Sequence, residues 1–263
     1  MLIALPPQFS LSIATGLAIV DAMNPSAIGV LILLMTVLLK GRNRNLVIAR
    51  GIAFALGMWS THFIGGLILL QLLNAARIIF VSQILYLGIG AFLIFLGMLE
   101  IKDFFWYGRW FLLGIPKRFV STIETKARGA SRGLWASFTF GVILALIELP
   151  STGAPYLGII TLMSKGGYTY FSALPLLLYY NVIFVFPLIV IIFLAYRGFA
   201  MKRLEEWRQE HRGAIRMYIG LFLLMTGIWI VTAVIANALV LLLAGVAILF
   251  IIMAFSKYIL RLT

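Results

Sequence analysis

Asp21 and Glu148 lie inside runs otherwise long and apolar enough to cross a lipid bilayer, while the remaining acids fall between such runs. A carboxylate in hydrocarbon is costly, so its presence points to function by default. Each stands just before a Pro-Ser pair: Asp21 precedes Asn24, Pro25 and Ser26, and Glu148 precedes Pro150, Ser151, Thr152, Gly153 and Pro155. Proline interrupts the helical ladder and suits the first position of a new half-helix, with Asn24 a natural N-cap. Ser26 and Ser151 then fall in a first turn where free N–H groups and the positive dipole end favour an anion. Glu148, beside its break, reads as a proton or substrate group. Asp21 has two readings of equal weight: that role, or satisfying backbone groups freed by the proline.

The elements that position these residues follow from composition. The chain has 263 residues, of which 63% are hydrophobic and only 11% charged. Soluble domains average about 45–50% and about 25%, so the expected class is an integral, all-α membrane protein. The net charge of +13 could indicate nucleic acid, but the basic residues are spread between apolar runs, and no nucleic-acid partner is expected. Residues 1–10 carry no Lys or Arg, so the basic start of a cleavable signal peptide is missing. There is no cysteine, which excludes a disulfide or a Cys-based metal site.

A span needs about 20 apolar residues. The segments 11–39, 51–73, 78–99, 133–163, 167–196 and 217–236 qualify. The uncharged run 217–256, as one helix, would be about 60 Å long, twice the hydrocarbon thickness; a tight turn near Asn237 and a seventh span at 238–255 are therefore expected. All basic residues except Arg77 and Lys165 fall in the 1–2, 3–4 and 5–6 connections and the C-terminal tail. The positive-inside rule then puts the N-terminus outside and the C-terminus in the cytoplasm of a multi-pass cell-membrane protein.

Pro25-Ser26 and Pro150-Ser151 each sit mid-way in the first span of a three-span unit. Three crossings are odd, so the second unit enters from the opposite face. The expected architecture is two inverted three-helix repeats with Pro-broken first helices, 11–99 and 133–236. A 100–132 connection joins them and a 237–263 span and tail follows. Transporters use this arrangement, with the site where the broken helices meet.

These residues resemble the CcdA/DsbD transmembrane family of thiol–disulfide electron transporters. Asp21, Asn24, Pro25 and Ser26 are similar to its D-x-x-N-P-C motif. Glu148, Pro150, Ser151, Thr152, Gly153, Pro155 and Tyr156 are similar to its E-x-P-C-T-G-x-P-Y motif, and Tyr180 to Pro187 also resembles the family. The resemblance implies cytochrome c biogenesis, with Ser26 and Ser151 at the redox-cysteine positions, cytoplasmic thioredoxin as donor and an outer thioredoxin-like acceptor. Serine cannot form a disulfide, so the chain as written should lack that oxidoreductase activity. A cysteine-free chain points to replaced cysteines, the alternative being a natural relative with another task.

A LysE-like solute or ion transporter using Asp21 and Glu148 is the competing expectation, and a scaffold using the aromatic 103–113 stretch a weaker third. That stretch reads as an interfacial helix, and 203–212 as a solvated helical extension containing His211. His62 reads as packed or cavity-facing, since no further ligands accompany it; neither metal nor cofactor is expected. Gly51, Gly57, Gly65, Gly66, Gly88, Gly90 and Gly97 should allow close helix contact. Pro175 and Pro187 should kink the fifth span, leaving Asn181 able to bond to a broken helix.

Overall fold

In the computed structural model, the backbone is described for residues 7–23, 25–39, 44–76, 79–106, 123, 125, 127, 129 and 133–259. Side chains are described for 11–23, 27–39, 45–76, 81–106, 123, 125, 127, 129, 133–148 and 153–236. Among the described residues there is helix and no strand. The elements are α1 (Pro7–Ala22), α2 (Pro25–Leu39), α3 (Arg44–Ala75), α4 (Ile79–Phe105), α5 (Leu134–Lys165), α6 (Tyr170–Tyr196) and α7 (Met201–Ile259).

The helices are apolar around most of their circumference, which is the pattern of a segment immersed in other helices or in lipid. Their outward faces carry exposed Ile64, Ile68, Phe92, Phe95, Phe186 and Ile228, a surface that only hydrocarbon would solvate. Four helices are each long and apolar enough to cross a membrane, and six spans result if each bent pair is one. The protein is an all-α, multi-pass membrane protein.

The bends fall where the prolines place them. Leu11–Ala22 and Ala27–Leu39 are inclined by 48°, and Leu134–Glu148 and Gly153–Lys165 by 79°. α2 begins at Pro25 itself, the position where a missing N–H costs nothing. By contrast α6 runs as one helix through Pro175 and Pro187, started by a capping box between Thr169 and Ser172. Helices α5 and α6 both end on a left-handed glycine, Gly167 (φ 74°) and Gly198 (φ 82°). At the second, Phe199 N–H bonds to the Leu194 carbonyl and Gly198 N–H to that of Ala195, a Schellman-type stop.

α3 lies against α5 and α6, α1 against α5 and α6, and α4 against α7. A Cβ at Gly97 would lie 2.8 Å from the Gly220 carbonyl oxygen, and one at Gly220 the same 2.8 Å from that of Gly97. Gly90 and Gly227 repeat the contact one heptad away. The contact between α4 and α7 is therefore reciprocal and antiparallel. α3 meets α5 more closely still: a Cβ on Gly57 would stand 2.2 Å from the Phe138 carbonyl oxygen, and one on Gly141 2.2 Å from that of Phe54. Gly65 and Gly88, also expected at contacts, have nothing within 4 Å.

Two expectations change at α7. The helix runs unbroken over 59 residues from Met201 to Ile259, so there is no tight turn at Asn237. One Asn between Ala236 and Ala238, with no Gly or Pro beside it, is too weak a breaker to end a helix. The segment 238–255 continues the same helix. The extension 203–212 is helical but not wholly solvated, because Arg208 lies against Gly29 of α2. His211 is exposed and stacks on Trp207 at 4.8 Å. Of the expected interfacial helix, Phe104, Phe105 and Trp106 are exposed at the end of α4; residues 107–113 lie outside the described residues.

Candidate functional site

A polar cluster occupies the interior where α1, α3, α5 and α6 meet. Asp21 lies at the end of α1, the first arm of the first broken helix, and is 1% exposed. Tyr180, from the middle of α6, donates its hydroxyl to Asp21 Oδ2 at 3.0 Å and lies 3.3 Å from the Leu17 carbonyl. The next residue, Asn181, gives its Nδ2 to the Leu177 carbonyl at 2.8 Å and to the Tyr156 hydroxyl at 3.3 Å. Asn181 therefore does reach a broken helix, as its place in span 5 led us to expect. Tyr156 in turn donates to the His62 carbonyl at 2.7 Å, and Gly66 makes room for it, since a Cβ there would lie 2.0 Å from that hydroxyl.

His62 is buried, its Nδ1 3.2 Å from the Met58 carbonyl. Its ring lies 4.2 Å from Phe184 and 5.6 Å from Tyr156. The rings of Tyr156 and Tyr180 are 5.1 Å apart. Glu148, fully buried, lies within electrostatic reach of Asp21. The two acids marked by sequence therefore share one interior.

Three polar atoms of this cluster, Asp21 Oδ1, Asn181 Oδ1 and His62 Nε2, are buried with no hydrogen-bond partner among the described residues. A buried polar atom left unmet costs about 1–3 kcal/mol. The Asn181 oxygen is an acceptor, while the Asp21 oxygen and the histidine nitrogen take either role, by protonation and by tautomer. The arrangement suits a ligand presenting several hydroxyl or amide donors.

Of the remaining sequence-marked residues, Gly153 is partly exposed and Pro155 buried in the arm of α5 that follows the break. Asn24 and the side chains of Pro25, Ser26, Pro150, Ser151 and Thr152 lie outside the described residues. No group of three or more His, Asp or Glu side chains suited to a metal is found among the described residues.

Sequence reasoning missed a second buried set. Arg216 of α7 reaches Glu100 Oε2 at 3.1 Å and Asp103 Oδ2 at 2.6 Å, and Lys102 lies 2.6 Å from Asp103 Oδ1. All three of Glu100, Asp103 and Arg216 are buried, although their sequence positions read as connections. The available signal was the i, i+3 spacing of Glu100 and Asp103, which puts both on one helix face.

The family model for Sap, sulfolipid-1-addressing protein (SfLAP), matches residues 15–236, nearly the whole described core. The chain belongs to the SfLAP family. No curated protein and no solved structure matches it.

Membership of the SfLAP family overturns the CcdA/DsbD resemblance. The thiol–disulfide oxidoreductase activity and the role in cytochrome c biogenesis go with it, and so does the ground for thioredoxin partners. An acid followed by Pro-Ser in both halves is what two membrane helices broken near a buried carboxylate require; it does not specify sulfur chemistry. SfLAP membership removes the reason to read Ser26 and Ser151 as replaced cysteines. Nor does it lend ground to the LysE-like solute or ion transporter.

Proposed function

We propose that this chain addresses a polar lipid within the membrane, moving a sulfated or similarly acidic lipid from one leaflet toward the other. The observation that carries this reading is the SfLAP match over residues 15–236, the family description naming a sulfolipid. The interior cluster supports it. Unmet acceptors on Asp21 and Asn181 would receive hydroxyl or amide donors of a head group passing between the broken helices. Exposed apolar faces of α3, α4 and α6 would keep the lipid tails in hydrocarbon meanwhile. Head-group passage through a bilayer otherwise requires stripping polar groups of their hydrogen bonds, at several kcal/mol.

The protein would sit in the cell membrane with its N-terminus outside and its basic 1–2, 3–4 and 5–6 connections in the cytoplasm, as the positive-inside rule favours. Asp21, Glu148 and Asn181 would contact the cargo. Asn24, Pro25, Ser26, Pro150, Ser151, Thr152, Gly153 and Pro155 would form the two breaks that open the path.

The test is lipid movement in liposomes containing the full chain. A sulfated galactosylceramide with a fluorescent tail is placed in both leaflets, and an impermeant reductant bleaches whatever reaches the outside. The expected result is bleaching beyond the outer-leaflet half, faster than for the unsulfated lipid. Bleaching that halts at one half, as in protein-free liposomes, contradicts the reading.

A further inference from the structure

A cavity of about 790 Å³ opens between the inner arm of the first broken helix and the turn joining α6 to α7. Its volume is that of a small-molecule site, about 300–1,000 Å³. Ile32, Leu33 and Leu39 of α2 form one wall, and Phe199, Ala200 and Met201 the other. Thr36, also in the lining, turns its hydroxyl back to the Ile32 carbonyl at 2.7 Å, so the wall remains apolar.

The rim is different in kind. Lys202 is 88% exposed there, with only a loose 3.7 Å pairing to Glu206. Arg208 comes from one helical turn beyond Glu205 and lies against α2: a Cβ on Gly29 would meet its Cζ and Nη1 at 2.9 Å. Glu205, the acid in the lining, is held by Arg208 Nε at 2.9 Å and Gln209 Nε2 at 2.7 Å. Its charge is therefore locally answered. Arg197, Arg203 and Arg212 add to the basic excess of this segment over Glu205, Glu206 and Glu210.

An apolar trough ending at a cationic rim, on the side where the basic connections lie, is complementary to a tail joined to an acidic head. We propose that this groove holds one anionic lipid of the adjoining leaflet, its tail along Ile32, Leu33 and Phe199 and its head on Lys202. The groove flanks the same broken helix that carries Asp21 on its other arm, so it is an entrance to the interior cluster. The inference deepens the lipid-addressing reading and rests on it for the identity of the cargo.

The test uses the full chain in phosphatidylcholine nanodiscs containing either sulfated galactosylceramide or its unsulfated parent, each with a photoreactive diazirine in the tail. Labelled peptides are mapped by mass spectrometry. The sulfated lipid should label 32–39 and 199–201 more than its parent, by about fivefold for each cation engaged. Lys202→Glu, on an exposed side chain, should abolish the preference without disturbing the fold. Leu33→Trp should lower labelling by both lipids.

Equal labelling by the two lipids overturns the proposal, as does a preference untouched by Lys202→Glu. Competition by free galactose sulfate as strong as by the lipid removes the tail from the account. Cross-links from one copy of the chain to another at these residues show a protein interface instead. The two readings separate cleanly. Labelling as expected with no lipid movement in liposomes keeps the groove and ends the addressing function; movement unaffected by Lys202→Glu does the reverse.

Discussion

The Tyr180 hydroxyl donates to Asp21 at 3.0 Å, with both side chains buried, and so ties the middle of α6 to the end of α1. This bond fixes the end of α1, beside the first break, against α6. Tyr180→Phe leaves the carboxylate without that donor and should lower stability by about 1–2 kcal/mol. Adding Asp21→Leu removes the orphan and should restore most of the loss. Thermal unfolding of the purified single and double variants measures the coupling.

Close approach at Gly57 and open space at Gly65 give opposite expectations for the same substitution on one helix. Gly57→Ala places a methyl 2.2 Å from the Phe138 carbonyl oxygen and should separate α3 from α5, costing about 1–3 kcal/mol. Gly65→Ala has nothing within 4 Å and should stabilise by up to about 1 kcal/mol through helix propensity. Both are read from the unfolding temperature in one detergent.

The Arg216 cluster predicts a large single effect that a triple variant relieves. Arg216→Met strips the partner shared by Glu100 and Asp103 and should cost about 3–5 kcal/mol, whereas neutralising all three residues together should cost far less. Yield of folded protein after membrane extraction, followed by thermal unfolding, distinguishes the two.

Orientation is directly testable because the chain contains no cysteine. In intact cells, Tyr170→Cys should react with an impermeant maleimide and Arg203→Cys should not. The pattern should reverse in inside-out vesicles. The opposite result inverts the topology.

The broken helices and the two interior acids were legible because proline and carboxylate stand out in an apolar run. The meeting of those acids with His62, Tyr156, Tyr180 and Asn181 was only half legible. Period and composition identify a polar residue in a span, but they do not say which neighbour it faces. Arg208 and Arg216 looked like solvated cations for that reason; their helical phase against α2 and α4 decides their burial. Asn237 misled because an uncharged run of that length favours two crossings, yet nothing in it stops a helix. The chemistry was misread at Ser26 and Ser151. Paired Pro-Ser breaks describe a backbone geometry, and sulfur chemistry was borrowed with the resemblance.

The most direct measurement is the rate of sulfated-lipid movement in liposomes for the parent chain against Asp21→Asn and Asn181→Val, each first shown to unfold at a parental temperature. If the interior cluster carries the head group, both variants should slow movement by about tenfold, the loss of one good hydrogen bond during passage. Parental rates in both folded variants would contradict the account.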